Sequence, residues 1–169
     1  MKITGRNITR RLYGLSHLPG RIARARYFRG HGVHSPFVYA LVRQVFMRRA
    51  LIDGDRRLYE AMLAAGASER RAVQIQNLAI HCGYDDFGMD CAEGDIYVAS
   101  AASDEKTIRE LARRAAETGA TLCIMQPYDG RERQTACREL VDAHVSTSVD
   151  NRGYLLLFNN YLPKQHFRI

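Results

Sequence analysis

The residues best suited to chemistry fall in a few places along the chain. His31 and His34 flank a turn, and His81-Cys82 lies shortly before Cys91 with Asp85, Asp86 and Asp90 between them. Imidazole, thiolate and carboxylate are the donors that zinc and related ions select. Neither set has the spacing of a zinc ribbon or finger, and turn polarity and helix capping account for both, so no metal is expected. Ser100 and Ser103 offer hydroxyls beside the start of a helix, and Gln126, Tyr128 and Asp129 offer an amide, a phenol and a carboxylate after a second apolar run. These five are the candidate contacts to a ligand or partner. Ser103 and Asp129 are equally well placed as helix N-caps, and without a positioned acid and base they make no catalytic set.

Other chemistries find less support. A phosphate cradle needs a glycine-rich turn between a strand and a helix, where the backbone can approach the ligand. Gly30-His31-Gly32 has no strand before it, and Gly83-Tyr84-Asp85-Asp86-Phe87-Gly88 has no lysine after it. No Ser or Cys occupies a G-x-S-x-G elbow. No catalytic residue is therefore assigned.

The elements that must position these residues change character midway. To about Arg29 the apolar residues recur at helical spacing, broken at Gly14 and Pro19-Gly20. Ser35-Pro36 reads as an N-cap followed by proline in the first helical turn, opening a helix to about Arg49 with Phe37, Leu41 and Val45 in its stripe. A helix with Leu58, Met62 and Leu63 stops at Gly66, and another, capped by Ser68, runs to Gly83 with Val73 and Leu78 inward. From Asp95 the pattern becomes strand-like through Ala99. An amphipathic helix follows, capped by Ser103 and ending at Gly119, and then a buried strand, Thr121 to Met125. Strand, helix and strand at this spacing make a right-handed βαβ unit with parallel strands. A helix from about Gly130 to Asp142 leads to a strand from Val145 to Val149. The Asp150-Asn151-Arg152-Gly153 turn, with glycine at the left-handed position, folds it back antiparallel onto Tyr154 to Phe158. The expected fold is α/β: a helical N-terminal region over residues 1–67, then a reduced Rossmann-like mixed sheet over 68–169 ending in an antiparallel hairpin.

Composition bounds the rest. With 169 residues, 46% of them hydrophobic, the chain suits one domain or one domain with a helical appendage. No apolar run approaches the roughly 20 residues of a membrane span, and a cytoplasmic protein without a secretory signal is expected. The four cysteines form no CxxC pair, and disulfides are not expected. The net charge of +7 is concentrated at the start, where Arg10, Arg11, Arg21, Arg24, Arg26 and Arg29 all precede the first acid, Asp53. Such a basic patch suits nucleic acid phosphates, with Tyr13, Tyr27 and Phe28 as stacking surfaces, or the acidic face of a partner.

One run is distinctive: His31-Gly32-Val33-His34-Ser35-Pro36-Phe37-Val38-Tyr39, read with Gly153-Tyr154-Leu155-Leu156-Leu157-Phe158 and Pro163-Lys164-Gln165-His166-Phe167. Together these segments resemble a group of bacterial class I S-adenosylmethionine-dependent methyltransferases. The resemblance implies a helical cap, a Rossmann-like domain, a closing antiparallel hairpin and a KQHF-like tail, with residues 95–169 like the family's C-terminal half. The family's glycine-rich cofactor loop and ribose-binding acid have no counterpart, because only about thirty residues separate Gly66 from Asp95 where a complete domain needs roughly a hundred more. Ala99-Ser100-Ala101-Ala102 and Met125-Gln126 stand where the family carries acidic residues.

The reading that follows is a degenerate, non-catalytic methyltransferase-like protein acting through a partner or through itself, with no cofactor. The alternatives are an S-adenosylmethionine-dependent enzyme with a reduced or partner-completed site, and a nucleic-acid-binding module using the basic N-terminal helices. Loss of half a sheet would also leave a former interior strand at an edge, an invitation to homodimerise.

Overall fold

A computed structural model describes residues 35–169. The six arginines of the basic patch, the short N-terminal helices, and His31 and His34 lie outside the described residues.

Ser35 caps helix α1 (Pro36–Leu41), its hydroxyl accepting from the Val38 N–H at 3.4 Å with Pro36 in the first turn. A π-helical turn, Val42–Phe46, continues it and ends short of Arg49, because Met47 already closes back on the Val42 carbonyl. Helix α2 (Arg57–Ala64) buries Leu58 and Met62 but leaves Leu63 exposed: one position beyond Met62, it turns off the buried stripe. Helix α3 (Glu69–Cys82) stops at Gly83, which takes the left-handed conformation open to glycine. Ser68 stands at its N-cap without bonding through its side chain.

Three amides on α3, Gln74, Gln76 and Asn77, are buried, against the usual rule for such residues. Gln74 and Asn77 serve the chain that leaves the π-helical turn, and Gln76 serves the first turn of α2. Gln74 Nε2 donates to the Phe46 carbonyl (2.8 Å), Asn77 binds both the Ala50 carbonyl (3.0 Å) and the Ile52 N–H (2.8 Å), and Gln76 accepts from the Tyr59 N–H (2.9 Å). Backbone groups that would otherwise be buried without partners are satisfied, so the segment between α1 and α2 is held to α3.

The sheet has six strands: β1 (Phe87–Met89), β2 (Ile96–Ala99), β3 (Thr121–Met125), β4 (Thr147–Asp150), β5 (Tyr154–Leu157) and β6 (Gln165–Arg168). Their order is β1-β2-β3-β5-β4-β6, with β5 antiparallel to both neighbours and every other pair parallel. Helix α4 (Glu105–Thr118) makes the β2-to-β3 crossover, and α5 (Arg131–Ala143) leads from β3 to β4. The architecture is thus the expected α/β, a Rossmann-like mixed sheet with its antiparallel hairpin.

Side-chain alternation along the strands builds two cores. Ile96, Val98, Cys123, Met125, Tyr154 and Leu156 face α1, α2 and α3; Tyr97, Ala99, Leu122, Ile124, Leu155 and Leu157 face α4 and α5. Burial of each large aliphatic side chain contributes about 1.5–3 kcal/mol. Residues 36–64 share the first core with the sheet.

Three sequence expectations are corrected. Strand β1 lies where no strand was expected, inside the glycine-flanked acidic segment, and only six residues join it to the parallel β2. A parallel connection ordinarily needs a helix. Here the link folds back over Gly88, where a side chain would collide with the Cys91 carbonyl and with Glu93 backbone atoms at 3.0 Å. Strand β4 begins at Thr147, leaving Val145 81% exposed. In the hairpin turn Arg152, not Gly153, is left-handed (φ 49°). Gly153 is needed for another reason: a Cβ there would occupy the space of the Arg71 guanidinium, which bonds Gln74 (2.8 Å) and Asn151 (3.3 Å) and lies 5.3 Å over the Tyr154 ring. Beyond the hairpin the tail forms β6, which pairs with β4.

Candidate functional site

In open α/β sheets ligands settle outside the carboxyl ends of the parallel strands. In this chain that edge is formed by the residues following β1, β2 and β3, together with the β4–β5 turn. All three left-handed non-glycine residues among the described ones lie along it: Asp90 after β1 (φ 56°), Gln126 after β3 (φ 48°) and Arg152 in the turn. Each such conformation costs about 1–3 kcal/mol and persists only where surrounding bonds impose it. Asp90 N–H is tied to the Val98 carbonyl (2.9 Å), Gln126 N–H to the Gly153 carbonyl (2.8 Å) and Arg152 N–H to the Asp150 carboxylate (2.9 Å).

Two side chains, Asp90 and Arg133, organise this edge. Asp90 accepts from the Ser100 N–H (2.7 Å) and from the Ser103 hydroxyl. Arg133, on α5 and only 8% exposed, donates to the carbonyls of Ser100 (2.7 Å), Ser103 (2.7 Å) and Met125 (2.7 and 3.2 Å). Guanidinium has five N–H donors, and four are spent on backbone oxygens. Burial pulls the Arg133 pKa down, while Cys137, Asp129 and Asp90 oppose it. Asp90 experiences the reverse: burial works to raise its pKa, but bonds from Ser103 and Ser100 and the nearby Arg133 charge outweigh it, and the carboxyl sits below its ordinary 3.8.

The expected caps change accordingly. Asp104, not Ser103, caps α4, its carboxylate accepting from the Thr107 N–H at 2.8 Å, because Ser103 is turned to Asp90. Gly130 (φ 102°), not Asp129, holds the N-cap position of α5, since a positive φ is needed to enter that helix. With Asp104 and Asp90 at the start of α4, the helix end that attracts anions already carries carboxylates.

Ser100 and Ser103 therefore come together in one network, and Gln126 lines the same cleft as Ser100. Tyr128 turns away and donates to Asp150, a buried acid of β4, and Asp129 closes the turn by its N–H to the Gln126 carbonyl (3.0 Å). Asp90 was visible in the sequence as a conceivable metal ligand only. Arg133 carried a detectable signal: it shares the inward face of α5 with Ala136 and Cys137, an unusual place for a charge.

Above this network lies a cleft of about 270 Å³, open to solvent. Met62 and Gly66 form one wall, Met89, Val98 and Met125 the floor, and Gln126 the rim. Among the described residues no charged side chain lines it.

The remaining groups are engaged elsewhere. Among the described residues no three of His, Cys, Asp or Glu assemble as metal ligands. Asp95 accepts from the N–H groups of Asp85 (2.9 Å) and Asp86 (3.2 Å). Burial pushes the thiols of Cys82 and Cys137 up to about 11 and that of Cys123 higher still, away from the reactive thiolate. Ser148 lies 2.8 Å from His166 Nδ1, but Arg168 Nε donates to the other ring nitrogen (3.3 Å). Both ring nitrogens are thus engaged within the β4–β6 pair.

No helix among the described residues is long and apolar enough to cross a membrane. No protein-family model matches the chain, and neither a curated protein nor a solved structure matches it significantly.

Proposed function

We propose that this chain is a methyltransferase-derived scaffold that has given up catalysis and acts by binding another protein or a second copy of itself. One observation carries the reading: the strand ends where a cofactor and substrate would lie are cross-linked by Arg133 and Asp90 through the backbone of Ser100. A site that must admit a nucleoside and a methyl acceptor needs free donors and a general base, whereas here the Arg133 donors are spent on carbonyls and no charged side chain of the described residues lines the cleft. The three segments that resemble the methyltransferases support the ancestry.

Calorimetric titration of the full chain with S-adenosylmethionine tests it. No saturable heat is expected at ligand concentrations to about 1 mM, a limit corresponding to about −4 kcal/mol. Micromolar binding, or methyl transfer from labelled cofactor on adding a partner, would instead assign an enzyme with a reduced or partner-completed site.

A further inference from the structure

Strand β6 has β4 on one side and no strand on the other among the described residues. Its side chains alternate between two different surroundings. Phe167 and Ile169 pack against the core beneath α1 to α3. Lys164, His166 and Arg168, two residues apart, fall on the opposite face, where His166 is in register with Ser148 and Arg168 with Asp150. The outermost strand and the residue before it therefore present Lys164, His166 and Arg168 on one face, with the Lys164 ammonium donating to the Asp142 carbonyl at 2.6 Å. Lys164 and Arg168 are exposed, and no ion pair to an acid is formed by either among the described residues. Asp150, the acid beside Arg168, is buried and occupied by the Tyr128 hydroxyl and the Arg152 N–H.

The backbone of β6 is oriented to match. Ile169 N–H is spent on the Asp150 carbonyl (3.0 Å), so alternation turns the N–H and C=O of Arg168, one residue earlier, to the outer edge. The other edge strand differs: Phe87 N–H is covered by the Asp86 carboxylate (2.9 Å), and the Cys91 sulfur is bonded by the Met89 backbone. Self-pairing of β6 is disfavoured, because an antiparallel copy would set Lys164 and Arg168 against each other across the pair.

We infer that β6 is a docking edge for an extended acidic peptide segment, which adds as a seventh strand with its carboxylates along Lys164, His166 and Arg168. An open sheet edge pairs with a peptide backbone, which nucleic acid does not supply, and the basic face repels a second copy while selecting an acidic strand. The inference supplies partner chemistry for the interaction role proposed above, and its test is independent of cofactor binding.

The test uses the full ¹⁵N-labelled chain and a labelled peptide of about eight residues alternating Val and Glu, long enough for one strand. Saturable binding is expected, with amide shifts centred on residues 164–169. The Lys164→Glu/Arg168→Glu double variant, whose substitutions are exposed, should bind at least about tenfold more weakly while keeping its circular dichroism spectrum. A peptide N-methylated at alternate residues should lose binding, because it cannot complete the ladder. Absence of binding, equal binding of the N-methylated peptide or of one with Lys for Glu, or shifts centred elsewhere would overturn the assignment. So would displacement of the acidic peptide by an oligonucleotide at the same residues, which would mark a nucleic-acid contact.

Discussion

Asp90 and Arg133 hold opposite poles of the same residue: Asp90 accepts the Ser100 N–H and Arg133 donates to the Ser100 carbonyl, each at 2.7 Å. One residue comes from the loop after β1 and the other from the helix after β3, so the pair ties three strand ends together.

Arg133→Met should therefore be severely destabilising despite matching the apolar face of α5. It strands the carbonyls of Ser100, Ser103 and Met125, and the loss should reach about 3 kcal/mol or more in urea denaturation. Arg133→Lys should recover only part of it, because a single ammonium cannot fork among three carbonyls.

Asp90→Asn should flatten the acid limb of the stability profile. The carboxyl is held below its ordinary 3.8, so its contribution is present above that pH and is lost as the pH falls through the lower folded value. Denaturation midpoints measured from pH 6 down to about pH 2.5 should show the wild type falling more steeply than the variant.

His144 predicts a second pH dependence nearer neutrality. Burial lowers its pKa below 6.5, against the opposing hydrogen bond to the Phe158 carbonyl (3.0 Å). The unfolded chain then binds the proton more readily, so the contribution is complete above 6.5 and is lost as the pH falls from there through the folded value. In His144→Gln the decline just below pH 6.5 should be absent, and an unchanged slope would sink the idea.

Two glycines should respond differently to alanine. At Gly88 the new Cβ meets backbone of the returning link, which must shift, and a loss of about 3 kcal/mol is expected by thermal or urea denaturation. At Gly153 it meets the mobile end of Arg71, which can swing away at the expense of its bonds to Gln74 and Asn151, for about 1 kcal/mol.

The parts of the fold legible in the sequence are those governed by local chemistry. Ser35-Pro36 opens α1, Gly83 and Gly119 close α3 and α4, and the apolar runs at Ile96 and Thr121 make parallel strands, because capping, left-handed φ and periodicity act over a few residues. The silence of the loops after β2 and β3 was legible too, as a lack of bases and glycine cradles.

What filled that silence was decided only in three dimensions. Asp90 and Ser100 are ten residues apart and Arg133 is thirty-three beyond Ser100, and neither spacing signals a bond. Strand β1 has three residues and no apolar alternation, and β6 is mostly exposed, so both exist because an already formed sheet offers them an edge. Local sequence chemistry thus specifies the helices of the described residues and the βαβ unit. Only packing brings a buried guanidinium to the strand ends, because it alone sets the Arg133 donors against the Ser100, Ser103 and Met125 carbonyls that would otherwise be buried without partners.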